Sequence, residues 1–179
     1  MKKALSFILV SSLAALTLTA CGGGGNYKNG LGIVTHIDSS ASATDEAGPK
    51  GQVDSYIASI TIDDSGKIVK CSLDVAQTQV NFDASGAITS DVNADVRSKQ
   101  ELKDEYGMLV ASGIGKEWYE QANAFEAWAT GKTLDQVKGL RLKDNNGHNV
   151  PDIPELTASV TVDVSDFIKA IEKAFANAE

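Results

Sequence analysis

Two cysteines, two histidines and three prolines are all that 179 residues contain, and each scarcity removes a class of function. Cys71 has no cysteine to pair with once Cys21 is claimed by the leader described below, so no intrachain disulfide is expected to staple the fold. His36 and His148 stand far apart, and no Cys or His pair sits at ligand spacing, so no metal centre is expected. No glycine-flanked serine elbow marks a hydrolase nucleophile. Positive charge is also short: 16 Lys and Arg against 24 Asp and Glu give a net charge of -8. Such a surface repels phosphate backbones and anionic headgroups, so nucleic acid is not an expected partner.

What is present begins at the N-terminus. Lys2 and Lys3 precede an apolar stretch from Ala4 to Ala15, and Leu18, Thr19, Ala20 and Cys21 close it. That order reads as a bacterial lipoprotein leader, residues 1–20, cut before a diacylglyceryl-bearing Cys21. The stretch is too short to span a bilayer comfortably. The expectation is a chain held at the extracytoplasmic face of the cell membrane through lipidated Cys21, since two or three acyl chains anchor lastingly where one does not. Residues 21–30, with glycine at 22–25, read as a tether.

A single domain is expected over 31–179. Leu31 to Asp38 is rich in β-branched residues, and the polar stretch Ser39 to Gly51 reads as an exposed loop. Between Val53 and Ile62, Tyr56, Ala58, Ile60 and Ile62 alternate with Ser55, Ser59 and Thr61, the period of a half-buried strand. The turn through Asp63 and Gly66 then returns the chain as a second strand, with Val69, Cys71, Leu73 and Val75 on one face. Cys71 is thus expected to be a buried, unreactive thiol. A further hairpin is expected about Asp83 to Gly86. Ser98 with Glu101, and Thr133 with Gln136, form capping boxes. From about Lys116 to Ala129 a helix is expected to turn Trp118, Ala122, Phe125 and Trp128 inward, while Glu117, Glu120, Gln121 and Glu126 face water. After a possible strand at Leu140 to Leu142, Thr157 to Val162 reads as the last strand. Ser165 or Asp163 then caps a final helix with Phe167, Ile168, Ile171, Ala174 and Phe175 inward. Strands and helices are segregated, so the expected class is α+β: a small antiparallel sheet built from hairpins, helices packed on it, and a terminal helix after the last strand.

Three stretches resemble the FMN-binding domain family, which occurs in flavin-carrying subunits of Rnf and sodium-translocating quinone reductase complexes and in many Gram-positive lipoproteins. Ser65-Gly66-Lys67-Ile68-Val69 is similar to that family's glycine-lysine-isoleucine hairpin. Ala111 to Lys116 is similar to its proline-glycine-leucine-glycine loop, followed by a Trp and Phe helix and Gly131-Lys132. Ala158 to Asp163 lies where the family keeps serine/threonine-glycine-alanine-threonine before an alanine-rich terminal helix, although Ser159 and Val160 replace the glycine and alanine.

The resemblance implies a flavin protein that passes electrons to a partner protein. It places FMN beside Thr161, whose family counterpart can carry the flavin phosphate as an ester, with Ser159, Gly113, Ile114, Gly115 and Lys116 near it. Met108, Trp118 and Tyr106 are expected to line a slot for the isoalloxazine ring. Thr161 would stand just before a helix N-terminus, where free N–H groups favour an anion. The alternative is a non-redox surface binding or interaction module of the same fold that has lost flavin. No acid/base constellation for turning over a substrate is evident.

Overall fold

The computed structural model describes residues 25–179; the leader and Cys21 lie outside them. Three strands, β1 (Lys28–His36), β2 (Lys50–Ile62) and β3 (Ile68–Asn81), form an antiparallel sheet in sequence order. The helical segments follow: α1 (Lys99–Leu102), α2 (Trp118–Ala129) and α3 (Leu134–Lys138). A separate hairpin, β4 (Leu142–Asn145) and β5 (His148–Pro151), precedes α4 (Pro154–Thr157) and α5 (Ser165–Ala176). The α+β expectation holds, with a terminal helix after the last strand.

Alternation in β2 buries Ala58, Ile60 and Ile62, and Ile68, Cys71, Leu73 and Val75 answer from β3. A register shift at Thr61/Ile62 turns Ile68 inward and leaves Val69 exposed, contrary to the uninterrupted period. The hairpin turn is held by Asp63, whose Oδ1 accepts the Ser65 and Lys67 N–H groups at 2.9 Å. Asp83 repeats that arrangement for Ser85 and Ala87, and Phe82 bridges Ile88 as a further hairpin. In both turns the serine hydroxyl bond, foremost, holds the aspartate carboxyl below its usual range.

Helix α5 packs on β1 and β2, and α2 packs on β3. Phe167 is the hinge of the core: its ring lies 5.6 Å from that of Phe125, 5.8 Å from Trp118 and 6.2 Å from Tyr56. The strand β1 meets α5 through glycine. A Cβ on Gly32 would stand 1.9 Å from the Ala170 carbonyl oxygen, and one on Gly30 equally close to that of Ala174. Only a residue without a side chain lets strand and helix backbones approach so far. Lys173 Nζ donates to the Ile33 carbonyl at 2.8 Å and Asn177 Nδ2 to that of Leu31 at 3.0 Å, closing the seam. Asn29 and Glu179 exchange backbone hydrogen bonds of 3.1 and 3.2 Å. The strand therefore starts at Lys28, and residues 28–30 belong to the sheet rather than to a tether.

Both capping boxes form, Ser98 with Glu101 and Thr133 with Gln136. Gly107 (φ 76°) ends the helical segment after Tyr106, and Gly131 (φ 84°) follows α2. The expected strand over 157–162 is absent. Pro154 starts α4 instead, the Thr157 and Ser159 hydroxyls donate back to the Ile153 and Leu156 carbonyls, and 160–162 runs on as an irregular segment. Short polar side chains that bond their own backbone outcompete sheet pairing here. A strand not expected from the sequence, β5, pairs instead with β4 across Asn146-Gly147; both residues have positive φ, as a tight hairpin turn demands.

Candidate functional site

A cleft of about 510 Å3 opens between α2, the loop before it, the β4–β5 turn and the segment leading into α5. Tyr106, Met108, Ala111 and Trp118 supply its apolar wall, Ser112, Thr161 and Val162 its inner edge, and Asn145, Asn146 and His148 its opposite rim. Tyr56, Lys99 and Asp163 complete it. This volume falls within the range of small-molecule sites, roughly 300 to 1,000 Å3.

Two polar side chains one turn apart, Glu117 at the N-cap of α2 and Gln121 within it, hold the walls together. Glu117, almost fully buried, accepts the Met108 N–H at Oε2 (2.8 Å) and the Leu109 N–H at Oε1 (2.9 Å). Gln121, fully buried, accepts the Thr161 N–H at 2.8 Å and the Val162 N–H at 3.2 Å on its Oε1, and its Nε2 donates to the Lys116 carbonyl at 3.1 Å. Residues at i and i+4 share a helix face, so this pair ties the 108–109 loop and the 161–162 segment to one helix. Sequence reasoning turned both toward water. The signal that could have found them is position: they lie in the same arc as Trp118 and Ala122, inside the stripe rather than opposite it.

Of the residues named from sequence, Thr161, Met108, Trp118 and Tyr106 come together around the cleft. Gly113, Ile114, Gly115, Lys116 and Ser159 do not line it. Gly113 (φ 70°) and Gly115 (φ 64°) shape the loop, and a Cβ on either would meet nothing within 4 Å. Ser112 Oγ fastens that loop by donating to the Leu109 carbonyl and accepting the Lys116 N–H at 3.0 Å. Ser159 donates to Leu156, and Val160 is a core residue.

The Thr161 hydroxyl donates to the Ser112 carbonyl at 3.0 Å and stands 3.2 Å from Gln121 Oε1. The start of α5 is already supplied with an anion: Asp163 Oδ1 accepts the Ser165 N–H at 2.8 Å, and its Oδ2 accepts the Asn149 N–H at 2.8 Å. Asp166 adds a second carboxylate in the first turn. The helix end expected to receive an external anion is therefore occupied by the chain's own acid.

Sequence reasoning missed Tyr56, Lys99 and His148, because strand, helix start and hairpin converge only in three dimensions. Tyr56 also borders a second chamber of about 240 Å3, where His36, Asp38, Asp54, His148, Asp163 and Asp166 gather. His36 Nε2 is 3.1 Å from Asp166 Oδ1. Burial, reinforced by Asp166, Asp54 and Asp163, pushes the Tyr56 hydroxyl up to about 12, so it remains a protonated donor at neutral pH. The fold brings the two histidines to one chamber, yet among the described residues no group of three or more His, Cys, Asp or Glu is placed to hold a metal ion. No helix among these residues is long and apolar enough to cross a membrane.

A chlorophenol reductase of Desulfitobacterium hafniense is 32% identical to this chain over 126 residues, 62% of the chain and 38% of that protein. The chain thus spans well under half the length of the curated relative it matches. No protein-family profile and no solved structure matches it.

Proposed function

We propose that the chain is an electron-transfer protein that holds FMN non-covalently in the 510 Å3 cleft and is anchored by lipidated Cys21 to the outer face of the cell membrane. The observation that carries this reading is the convergence of Tyr106, Met108, Trp118 and Thr161 on one cleft of cofactor size. Likeness to a protein named as a reductase adds support for a redox role.

The residues present suit the ring. Tyr106, Met108 and Trp118 offer flat and polarizable apolar surface, and Tyr56 offers a hydroxyl that keeps its proton. Bound FMN would supply the one- and two-electron chemistry that no side chain of this chain supplies. The chain's own contribution is placement: Glu117 and Gln121 hold the two walls at fixed separation, and the apolar wall keeps water from one side of the cleft. Electrons would pass to and from a partner protein.

The contacts of the Thr161 hydroxyl support non-covalent holding. An ester would remove its proton and leave Oγ1 3.0 Å from one carbonyl oxygen and 3.2 Å from another with nothing to share between them. The experiment is to titrate the detergent-solubilised full chain with FMN, following quenching of flavin and tryptophan fluorescence, and to repeat it after coexpression with a flavin transferase. Saturable quenching that disappears on denaturation supports the reading. A chain that stays colourless and refuses added FMN removes it. Flavin that survives denaturation and is lost in Thr161→Ala would instead establish the ester. Anchoring has a separate check: mass spectrometry of the mature N-terminus should find diacylglyceryl on Cys21, and Cys21→Ser should release the chain from membranes.

A further inference from the structure

We infer that Lys99 is the residue by which the cleft selects a phosphorylated flavin over its unphosphorylated counterpart; this rests on the flavin reading above. Lys99 opens α1, whose start is fixed by the Ser98–Glu101 capping box and by the Gln100 N–H donating to Asp74 Oδ1 at 3.1 Å. From that base its ammonium lies 4.7 Å from the centre of the Tyr106 ring and 5.5 Å from that of Trp118, in the cleft wall. A cation over two π faces is held weakly by their quadrupoles and is not neutralised.

Lys99 is distinguished by position: among the residues that line the cleft it is the one lysine or arginine. Arg97, Lys138, Arg141, Lys143 and Lys169 each have a carboxylate partner, and Lys99 is among the described lysines that do not. Among the described residues no carboxylate comes within 4.0 Å of Lys99 Nζ, the span that defines those pairs. Asp163 shares the cleft, but its two oxygens are engaged by the Ser165 and Asn149 N–H groups. The cleft therefore offers a dianion one permanent side-chain cation, Lys99. The helix end that would otherwise attract it is filled by Asp163. Lys116, the cation expected from sequence to lie near the phosphate, does not line the cleft.

A phosphate monoester meeting this ammonium forms a charge-assisted hydrogen bond, while the ring faces stay in place as apolar wall. The test compares dissociation constants of FMN and riboflavin for the full chain, for Lys99→Met and for Lys99→Arg, with near-UV circular dichroism as the check on folding. Wild type should bind FMN at least roughly tenfold more tightly than riboflavin. Lys99→Met should weaken FMN alone and bring the two flavins level, and Lys99→Arg should restore the preference. Inorganic phosphate should compete with FMN in wild type and not in Lys99→Met.

Wild type that binds both flavins equally leaves the flavin reading standing and overturns the role of Lys99. Equal weakening of both flavins in Lys99→Met also overturns it, by making the residue a support of the wall. Wild type that binds neither flavin removes both the cofactor and this inference.

Discussion

Replacing Gly32 by alanine tests whether the seam between β1 and α5 is as tight as its geometry requires. The added Cβ would begin 1.9 Å from the Ala170 carbonyl oxygen and 2.6 Å from the Ala174 nitrogen, both helix backbone atoms that cannot rotate away. Restoring even a very tight contact needs at least about 1.1 Å of helix displacement, in an interior packed too densely to deform without cost. That displacement would loosen the contacts of Phe167, Ala170, Ile171 and Ala174, all buried on α5. Overpacking costs about 1 to 3 kcal/mol, and a backbone clash belongs at the upper end, about 3 kcal/mol. For a chain of this length the midpoint of thermal unfolding should fall by about 6 to 12 °C. Gly51→Ala is the matched control, because nothing lies within 4 Å of its Cβ position; it should leave stability unchanged or raise it by under about 1 kcal/mol. Urea unfolding followed by tryptophan fluorescence measures both. If Gly32→Ala lies within about 0.5 kcal/mol of wild type, the close approach of strand and helix is wrong.

Gln121→Leu should cost about 2 to 5 kcal/mol, since it strands the Thr161 and Val162 N–H groups without their acceptor; chemical denaturation checks it. Cys71 should resist alkylation in the native state and react at the rate of unfolding, because burial, with Glu126 adding to it, pushes its thiol up to about 12. Its contribution to stability is complete below the unfolded thiol value of 9.0 and is lost as pH rises from there toward 12; Cys71→Ala should flatten that alkaline limb of the stability profile. Glu126 is also raised by burial, although it accepts the Leu73 N–H at 2.6 Å. Its ionisation therefore works against the fold as pH rises above 4.5, the ordinary value. Glu126→Gln should accordingly gain on wild type between acid and neutral pH in paired denaturation curves.

Local chemistry made much of the fold legible. The alternation in β2, the Asp-x-Ser-Gly turns and the two capping boxes are written in residues close together in sequence, and each formed as its local physics requires. Where the decisive contact is distant, the sequence was silent. Nothing near Gly30 or Gly32 announces that a helix some 140 positions later will lie against them. The bulge at Thr61/Ile62 reversed the face of Val69 because one extra residue inverts a period of two. Thr157 to Val162 misled by composition, since its hydroxyls bond locally instead of joining a ladder. The cleft was half visible: Tyr106, Met108 and Trp118 sit near one another in the chain, whereas Tyr56, Lys99 and His148 reach it from three separate elements. Glu117 and Gln121 were misplaced because polarity was taken to mean exposure, although buried polar groups are tolerated where backbone N–H groups need an acceptor.

The bond from Lys173 to the Ile33 carbonyl joins positions 140 apart, and that span governs when the molecule can mature. During synthesis β1 emerges first and can pair with β2, yet its glycine face stays wet until the final helix arrives. Contacts of such long range form late and slowly. A nascent chain halted before Phe167 would present a half-covered sheet to proteases, and protection should arrive in one step when α5 docks.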